Sequence, residues 1–118
     1  MHKSIALIAL GLAVLSSGGA IARPFVYVAS FGYGAGTIKC LDSAEKALKK
    51  NGFTEKAERD YDPKVNDKVG RVYGSHKDTS TRAVIYCDQK DGVTSLAVAG
   101  LDADATWDHY IKLYEAEW

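Results

Sequence analysis

A helical repeat of apolar residues runs through positions 37–53, between a glycine-rich stretch and a highly charged one. The apolar residues that recur at intervals of three and four are Leu41, Ala44 and Leu48. Gly52 can adopt the left-handed conformation that closes a helix, and Phe53 follows where a Schellman motif places an apolar side chain against the last turn. The pattern predicts an amphipathic helix that carries Cys40 beside its apolar stripe.

Three other segments have the composition or the period of strands. Segments 69–76 and 81–88 alternate between apolar and polar residues, and a turn at 77–80 separates them. Segment 25–31 is apolar on both sides, so we expect it to be covered on both faces or to lie beside another covering element. A right-handed crossover through the helix would place this segment parallel to strand 69–76.

The Asp-Gly pair at 91–92 favours a two-residue hairpin after the last of these strands. Counting outward from that turn places Cys87 opposite Leu96. It also places Ile85 opposite Val98, so both apolar pairs share one face of the sheet. That face holds Cys87 and should be the one that the Cys40 helix covers, which predicts a Cys40–Cys87 disulfide.

Residues 54–68 show no regular period, since nine of these fifteen positions are charged and the signs are mixed. Pro63 and Asn66 interrupt any regular element, so the segment predicts a solvated connection, with at most a ragged edge strand near its start. A connection of this length in a small domain is often functional. Tyr61, the only aromatic residue in it, is therefore a candidate for contact with a partner.

The chain ends in a second predicted helix, for which Asp102 or Asp104 can serve as the N-cap. Its apolar stripe is formed by Trp107, Tyr110, Ile111 and Tyr114. We expect the stripe to lie on the sheet beside the first helix, and Trp118, one turn further, either to complete the core or to protrude. The elements together predict an α+β two-layer sandwich of order βαβββα, with a four-stranded, mainly antiparallel sheet, both helices on one face and one disulfide.

Residues 1–22 have the features of a secretory signal peptide. A basic start precedes the apolar segment 5–15, and an Ala-x-Ala site ends at Ala22. The apolar segment is shorter than the roughly 20 residues that a membrane span needs. We therefore expect a single α+β domain at 23–118, located in the periplasm or secreted, with no membrane contact in the mature form. Two cysteines in an exported chain favour a structural disulfide over a redox pair, because no Cys-x-x-Cys is present.

The chain carries 15 basic and 15 acidic residues, and removal of residues 1–22 leaves one net negative charge. Binding to nucleic acid needs a basic excess or a clustered basic patch, and neither is present. The composition therefore argues against nucleic acid as a partner.

The sequence offers no constellation that predicts catalysis, a metal site or a cofactor. Ser75 adjoins His76, but neighbouring residues of a strand point to opposite faces. His109 with Asp104 or Asp108 lacks metal-ligand spacing, so a solvated histidine is expected. The glycine-rich turn 32–36 lies between a strand and a helix, where backbone N–H groups attract anions. Its spacing fits neither dinucleotide nor P-loop motifs, and the alternative interpretation is a flexible turn.

Tyrosine and arginine are concentrated on the sheet face that the helices should leave bare. The residues predicted there are Arg71, Tyr73, Arg82, Val84 and Tyr86. Tyrosine and arginine are favoured anchors of protein interfaces. An antiparallel sheet with an ordinary half-exposed face explains the same pattern.

Four short motifs suggest a wider resemblance: Cys-Leu-x-x-Ala at 40–44, Gly-Phe at 52–53, Ile-x-Cys at 85–87 and Val-Ala-Gly at 98–100. In these motifs the chain resembles a loose set of small exported bacterial proteins of unknown function. The resemblance implies a two-layer fold and no particular activity. Two hypotheses follow from the sequence: a non-catalytic module that binds a periplasmic or extracellular protein, as an inhibitor or immunity-like protein, or a small-ligand or metal-dependent periplasmic enzyme that uses the Gly32–Gly36 turn and a histidine.

Overall fold

The structure is a computed structural model that describes residues 23–116. Its elements in chain order are β1 (Phe25–Gly32), α1 (Thr37–Lys50), β2 (Glu55–Asp60), β3 (Val69–Ser75), β4 (Thr81–Asp88), β5 (Val93–Gly100) and α2 (Ala103–Tyr114). The predicted signal peptide at 1–22 and Trp118 lie outside the described residues. None of the helices within the described range is long and apolar enough to span a membrane.

The sheet has five strands in the order β1-β5-β4-β3-β2, and every neighbouring pair is antiparallel. The prediction of an α+β fold with a mainly antiparallel sheet is confirmed, but the prediction of four strands is wrong. The placement of β1 parallel to β3 is also wrong. Short connections make β2, β3, β4 and β5 successive neighbours, so the chain crosses the sheet and β5 returns beside β1.

The additional strand, β2, lies at the start of the charged segment 54–68, where the sequence allows a ragged edge strand but the predicted strand count includes none. Its Arg59 points toward the helix side, where the guanidinium pairs with Asp42 and Glu45 of α1. Burial lowers the pKa of Arg59, but the two carboxylates outweigh it and raise that pKa above its usual value. A bulge at Lys56 interrupts the pairing of β2 with β3. Because the helix-facing position is charged, the strand has no apolar alternation.

The register of β4 and β5 differs from the prediction by two residues. Ile85 lies opposite Leu96 and Cys87 lies opposite Thr94. The loop contains four residues, 89–92, instead of two, and the Asp88 side chain accepts a hydrogen bond from the Asp91 N–H at 3.2 Å. A shift of two keeps every side chain on its predicted face.

Both helices pack on the same face of the sheet, as the sequence predicts. Helix α1 contacts β3 and β4, whereas α2 contacts β5 and β1. The buried residues of α1 are Thr37, Cys40, Leu41, Ala44, Ala47 and Leu48. Gly74 of β3 allows a close approach, since a Cβ there would lie 2.8 Å from the Phe53 carbonyl oxygen.

The end of α1 is the predicted Schellman motif. Gly52 has a φ of 85°, and the Phe53 N–H donates to the Leu48 carbonyl at 2.9 Å. The Gly52 N–H donates to the Lys49 carbonyl at 3.2 Å. Phe53 is 1% exposed, so the turn directs its ring into the core.

The predicted disulfide is present and joins the first turn of α1 to the end of β4. The Cα atoms of Cys40 and Cys87 are 6.1 Å apart, and both residues are buried. Thr94 of β5 is fully buried, and its hydroxyl lies 3.4 Å from the Cys40 sulfur. Because a disulfide sulfur has no proton, the Thr94 hydroxyl donates this hydrogen bond.

Helix α2 begins at the predicted cap, Asp102, whose side chain accepts from the Ala105 N–H at 2.8 Å. Its buried residues are Thr106 and Leu113, so the aromatic stripe is rotated toward β1 and stays partly exposed. The ring centroid of Tyr27 in β1 lies 5.1 Å from that of Trp107 and 5.5 Å from that of Tyr110. Of the two alternatives predicted for β1, coverage on both faces is wrong, because the face opposite α2 is exposed within the described residues.

Candidate protein-binding face

The sheet has one face that no described helix or loop covers, and the predicted tyrosines and arginines lie on it. Arg71 is opposite Tyr86, while Tyr73 of β3 is opposite Val84 of β4. Arg82 lies opposite Ser75. These residues alternate along β4 with the buried Ala83, Ile85 and Cys87. The structure therefore groups on one face all the residues that were predicted there, namely Arg71, Tyr73, Arg82, Val84 and Tyr86.

Tyr73 occupies the centre of this group. The guanidinium carbon of Arg71 lies 5.4 Å from the centroid of its ring, and that of Arg82 lies 5.0 Å from it. At these distances each cation is attracted to the ring face. The two contacts favour one arrangement of the three side chains, which lowers the entropy that a binding partner must remove. We name Arg71, Tyr73 and Arg82 the Tyr–Arg cluster.

Two acidic residues of β2, which the sequence pattern does not single out, complete the edge of the cluster. The Tyr73 hydroxyl donates to Glu58 at 2.7 Å, and the Arg71 Nε donates to Asp60 at 3.0 Å. The hydrogen bond to Glu58 raises the pKa of Tyr73 above its usual value. The period-two spacing of Glu58 and Asp60 indicates a shared face, but their charges concealed the strand.

Arg82 differs from Arg71 in its partners. Its guanidinium donates one hydrogen bond to the Ser75 hydroxyl at 3.1 Å. Within residues 23–116, no carboxylate lies within ion-pair distance of it, whereas Arg71 is paired with Asp60. The positive charge of Arg82 is thus the one in the cluster that protein groups in this range do not neutralise.

Tyr61, the candidate for partner contact in the charged segment, is held by contacts within the fold. Its hydroxyl donates to the Asp67 carbonyl at 3.0 Å, and its ring packs against the core. Tyr61 also borders a depression of about 330 Å³ whose other lining residues include Val65, Arg71 and Tyr86. Tyr61 therefore orders the segment between β2 and β3 and borders the candidate face from its edge.

His76 and His109, the two histidines among residues 23–116, form a second cluster, on the helix side of the sheet. The His76 and His109 ring centroids are 4.1 Å apart, and each lies 5.2 Å from the Phe53 ring. His76 Nδ1 accepts from the Asp78 N–H at 3.1 Å, while His109 Nε2 lies 3.2 Å from the Thr79 hydroxyl. The expectation that His109 is solvated is therefore wrong.

This environment favours the neutral form of His109. Burial lowers its pKa, and the neighbouring His76 and Lys112 lower it further, against a smaller opposite effect of Asp108. Its Nδ1 atom is buried and has no hydrogen-bond partner among the described residues. Protonation would bury an unpaired charge, so the packing resists it.

We expect acid to destabilise the protein partly through His109. The folded-state pKa lies below the unfolded value, so the unfolded chain binds more protons as the pH falls from about 6.5 toward the lower folded value, and stability is lost over that window. Thermal unfolding at pH 7.5 and at pH 5.0 would measure the difference. In His109→Phe, which keeps a ring against Phe53, the loss should be smaller. Equal losses in the two proteins would contradict this assignment.

The structure also locates the groups of the enzyme hypothesis. The Gly32–Gly36 turn precedes α1, and the Gly36 carbonyl accepts from the Cys40 N–H at 3.0 Å. His76 lies at the opposite end of this helix, beside Gly52. A helix of 14 residues is about 21 Å long, so the turn and the histidines do not form one site. In residues 23–116, no three His, Cys, Asp or Glu side chains are grouped as a metal site would require.

Comparison with known protein families, curated proteins and solved structures finds no match for this chain. The resemblance to small exported bacterial proteins therefore stays a prediction.

Proposed function

We propose that the protein is an exported, non-catalytic binding module that recognises another protein through the uncovered face of its sheet. The observation that carries the proposal is the Tyr–Arg cluster, in which Arg82 has a charge that no described carboxylate neutralises. An inhibitor or an immunity-like protein is the kind of exported binder that needs no catalytic groups of its own.

The chemistry of the cluster supports binding more than catalysis. A tyrosine phenol is protonated at neutral pH, and the hydrogen bond that Tyr73 donates to Glu58 raises its pKa further. It is therefore a poor base, and an arginine is always charged. Both residue types supply a planar surface and hydrogen-bond donors, which are the properties of interface anchors.

The cluster also indicates the chemistry of the partner. A guanidinium presents paired donors that match a carboxylate. Next to Arg82, the face continues with Val84, Ala97 and Val28, so a partner with an aspartate or glutamate beside an apolar surface complements it. The disulfide supports the proposed exported location, because such bonds persist in oxidising compartments.

A pull-down from periplasmic extract tests the proposal. We expect the wild-type protein to recover a protein partner and Tyr73→Ala and Arg82→Ala to lose it. Replacement of an interface anchor raises the Kd by about tenfold or more. The matched control is Ile38→Ala, which changes a half-exposed side chain on α1, away from this face.

Two further observations make the result decisive. Tyr73→Phe keeps the ring between the guanidiniums and should retain most of the binding. Circular dichroism of each variant should match the wild type, because the replaced side chains are not in the core. Recovery of the same proteins by all variants would refute the proposal.

A further inference from the structure

The two edges of the sheet differ in their protection against pairing. The β2 edge has charged side chains at five of its six positions and a bulge at Lys56, which are features that prevent strands from adding. The β1 edge is eight residues long, unbroken in its pairing with β5, and without a charged residue. An uncharged, regular edge strand is a template for another strand.

The hydrogen-bond pattern shows which backbone groups of β1 face outward. The Tyr33 N–H donates to the Gly92 carbonyl at 2.9 Å, which continues the β1–β5 register and makes this a hydrogen-bonded pair. Such pairs alternate, so odd-numbered residues of β1 bond to β5. The N–H and C=O groups of the even-numbered residues point away from the sheet, namely those of Val26, Val28, Ser30 and Gly32.

Exposed apolar side chains are concentrated around the same edge. Val26 and Val28 of β1 are 57% and 69% exposed on the open face. On the helix side, Trp107 and Tyr114 are 47% and 51% exposed and contact Tyr27 and Phe31 of β1. Exposed apolar side chains thus flank the outer edge of β1 on both faces of the sheet. Pairing with another strand would remove part of this apolar surface from water.

We propose that two copies of this chain associate through antiparallel pairing of their β1 strands, with Val28 opposite Ser30 of the second copy and Val26 opposite its Gly32. This register uses all four outward-facing residues of each strand. It joins residues of like orientation, so the open faces of the two sheets become one continuous face. The Tyr–Arg cluster lies on β3 and β4 and stays uncovered.

A second copy fits this edge better than a charged partner does. Neither strand carries a charge, so two identical edges meet without repulsion. On the helix side, the register places Tyr27 opposite Phe31 of the other copy, which forms two symmetric aromatic pairs of a kind that stabilises paired strands. The interface is isologous, as a twofold dimer requires.

Sedimentation equilibrium of the purified protein tests the association. We expect a dimer at micromolar to millimolar concentration for the wild type. Val28→Pro removes one outward N–H from each copy without breaking a bond to β5, and proline is tolerated at an edge. It should raise the dissociation constant at least about tenfold, because two intermolecular hydrogen bonds are lost. The control Val28→Ala keeps the N–H and should weaken the dimer less.

Circular dichroism should show that Val28→Pro remains folded, and Ala29→Cys gives a second test that needs no destabilising change. In the proposed register Ala29 lies opposite itself in a pair that is not hydrogen-bonded, where Cα atoms are about 4.5 Å apart. The variant should therefore form an intermolecular disulfide under mild oxidation. A monomeric wild type, or a dimer that Val28→Pro leaves intact and Ala29→Cys fails to crosslink, would overturn the proposal.

Discussion

Replacing Cys40 and Cys87 together by alanine is expected to lower the free energy of unfolding by about 4 kcal/mol. The two residues are 47 positions apart, and the chain-entropy account assigns about that stabilisation to a crosslink closing a loop of this length. Small domains have a total stability of roughly 5–15 kcal/mol. We therefore expect the variant to be partly unfolded at 37 °C, as urea denaturation monitored by circular dichroism would show.

Thr94→Val serves as the matched control for the crosslink. It removes the hydroxyl that donates to the Cys40 sulfur but keeps the disulfide and the side-chain volume. Its expected cost is about 1 kcal/mol, the net value of one hydrogen bond. Reduction of the wild type should reproduce the alanine result. A double variant no less stable than Thr94→Val would show that the crosslink is dispensable.

Phe53→Ala is expected to reduce the free energy of unfolding by about 3–5 kcal/mol. The side chain is 1% exposed and fills the space between the end of α1 and the two histidine rings. Its removal leaves a cavity beneath a turn whose backbone hydrogen bonds fix the neighbouring atoms, so collapse is limited. Differential scanning calorimetry would show a correspondingly lower Tm.

Two comparisons separate the cavity from other effects of changing Phe53. Phe53→Leu keeps an apolar side chain, so its loss of unfolding free energy should be less than about half of that of Phe53→Ala. Ile38→Ala removes a side chain that is 53% exposed and should change the stability by about 0.5 kcal/mol or less. If Phe53→Ala and Ile38→Ala had similar unfolding free energies, Phe53 would not be a core residue.

The sequence predicted those parts of the fold for which local and tertiary signals agree. The repeat Leu41, Ala44, Leu48 with the Gly52 signal identified α1 and its end, and Asp102 identified the start of α2. Alternation along β4 assigned Cys87 to the buried face, which led to the correct disulfide. In each case the local backbone preference and the buried side chains favour the same structure.

The missed features have contrary local signals. The helix-facing residue of β2 is Arg59, which forms ion pairs with Asp42 and Glu45 of α1. A strand that packs through ion pairs has no apolar period by which the sequence could reveal it. The position of β1 depends on β2, which the predicted strand count omits, because β2 occupies the edge of β3 and β1 pairs with β5 instead. The observed β4–β5 register differs from the predicted one because the loop has four residues, which a hydrogen bond to the Asp88 side chain stabilises. The Asp-Gly pair alone favours a loop of two residues.

The candidate site was predictable in its composition but not in its electrostatics. Alternation alone placed Arg71, Tyr73, Arg82 and Tyr86 on one face. The difference between Arg71, which is paired with Asp60, and Arg82, which is not, depends on contacts with β2. The contact between the His76 and His109 rings was missed because their proximity arises only when the turn after β3 meets α2.

The unequal edges of the sheet have a consequence for the size of any assembly. Each chain offers one uncharged edge, and strand pairing between two copies uses both of those edges at once. What remains at either end is β2, where five charged residues and a bulge oppose the addition of a further strand. Growth by this route is self-limiting, so strand addition should stop at two copies and concentrated protein should not form fibrils through it.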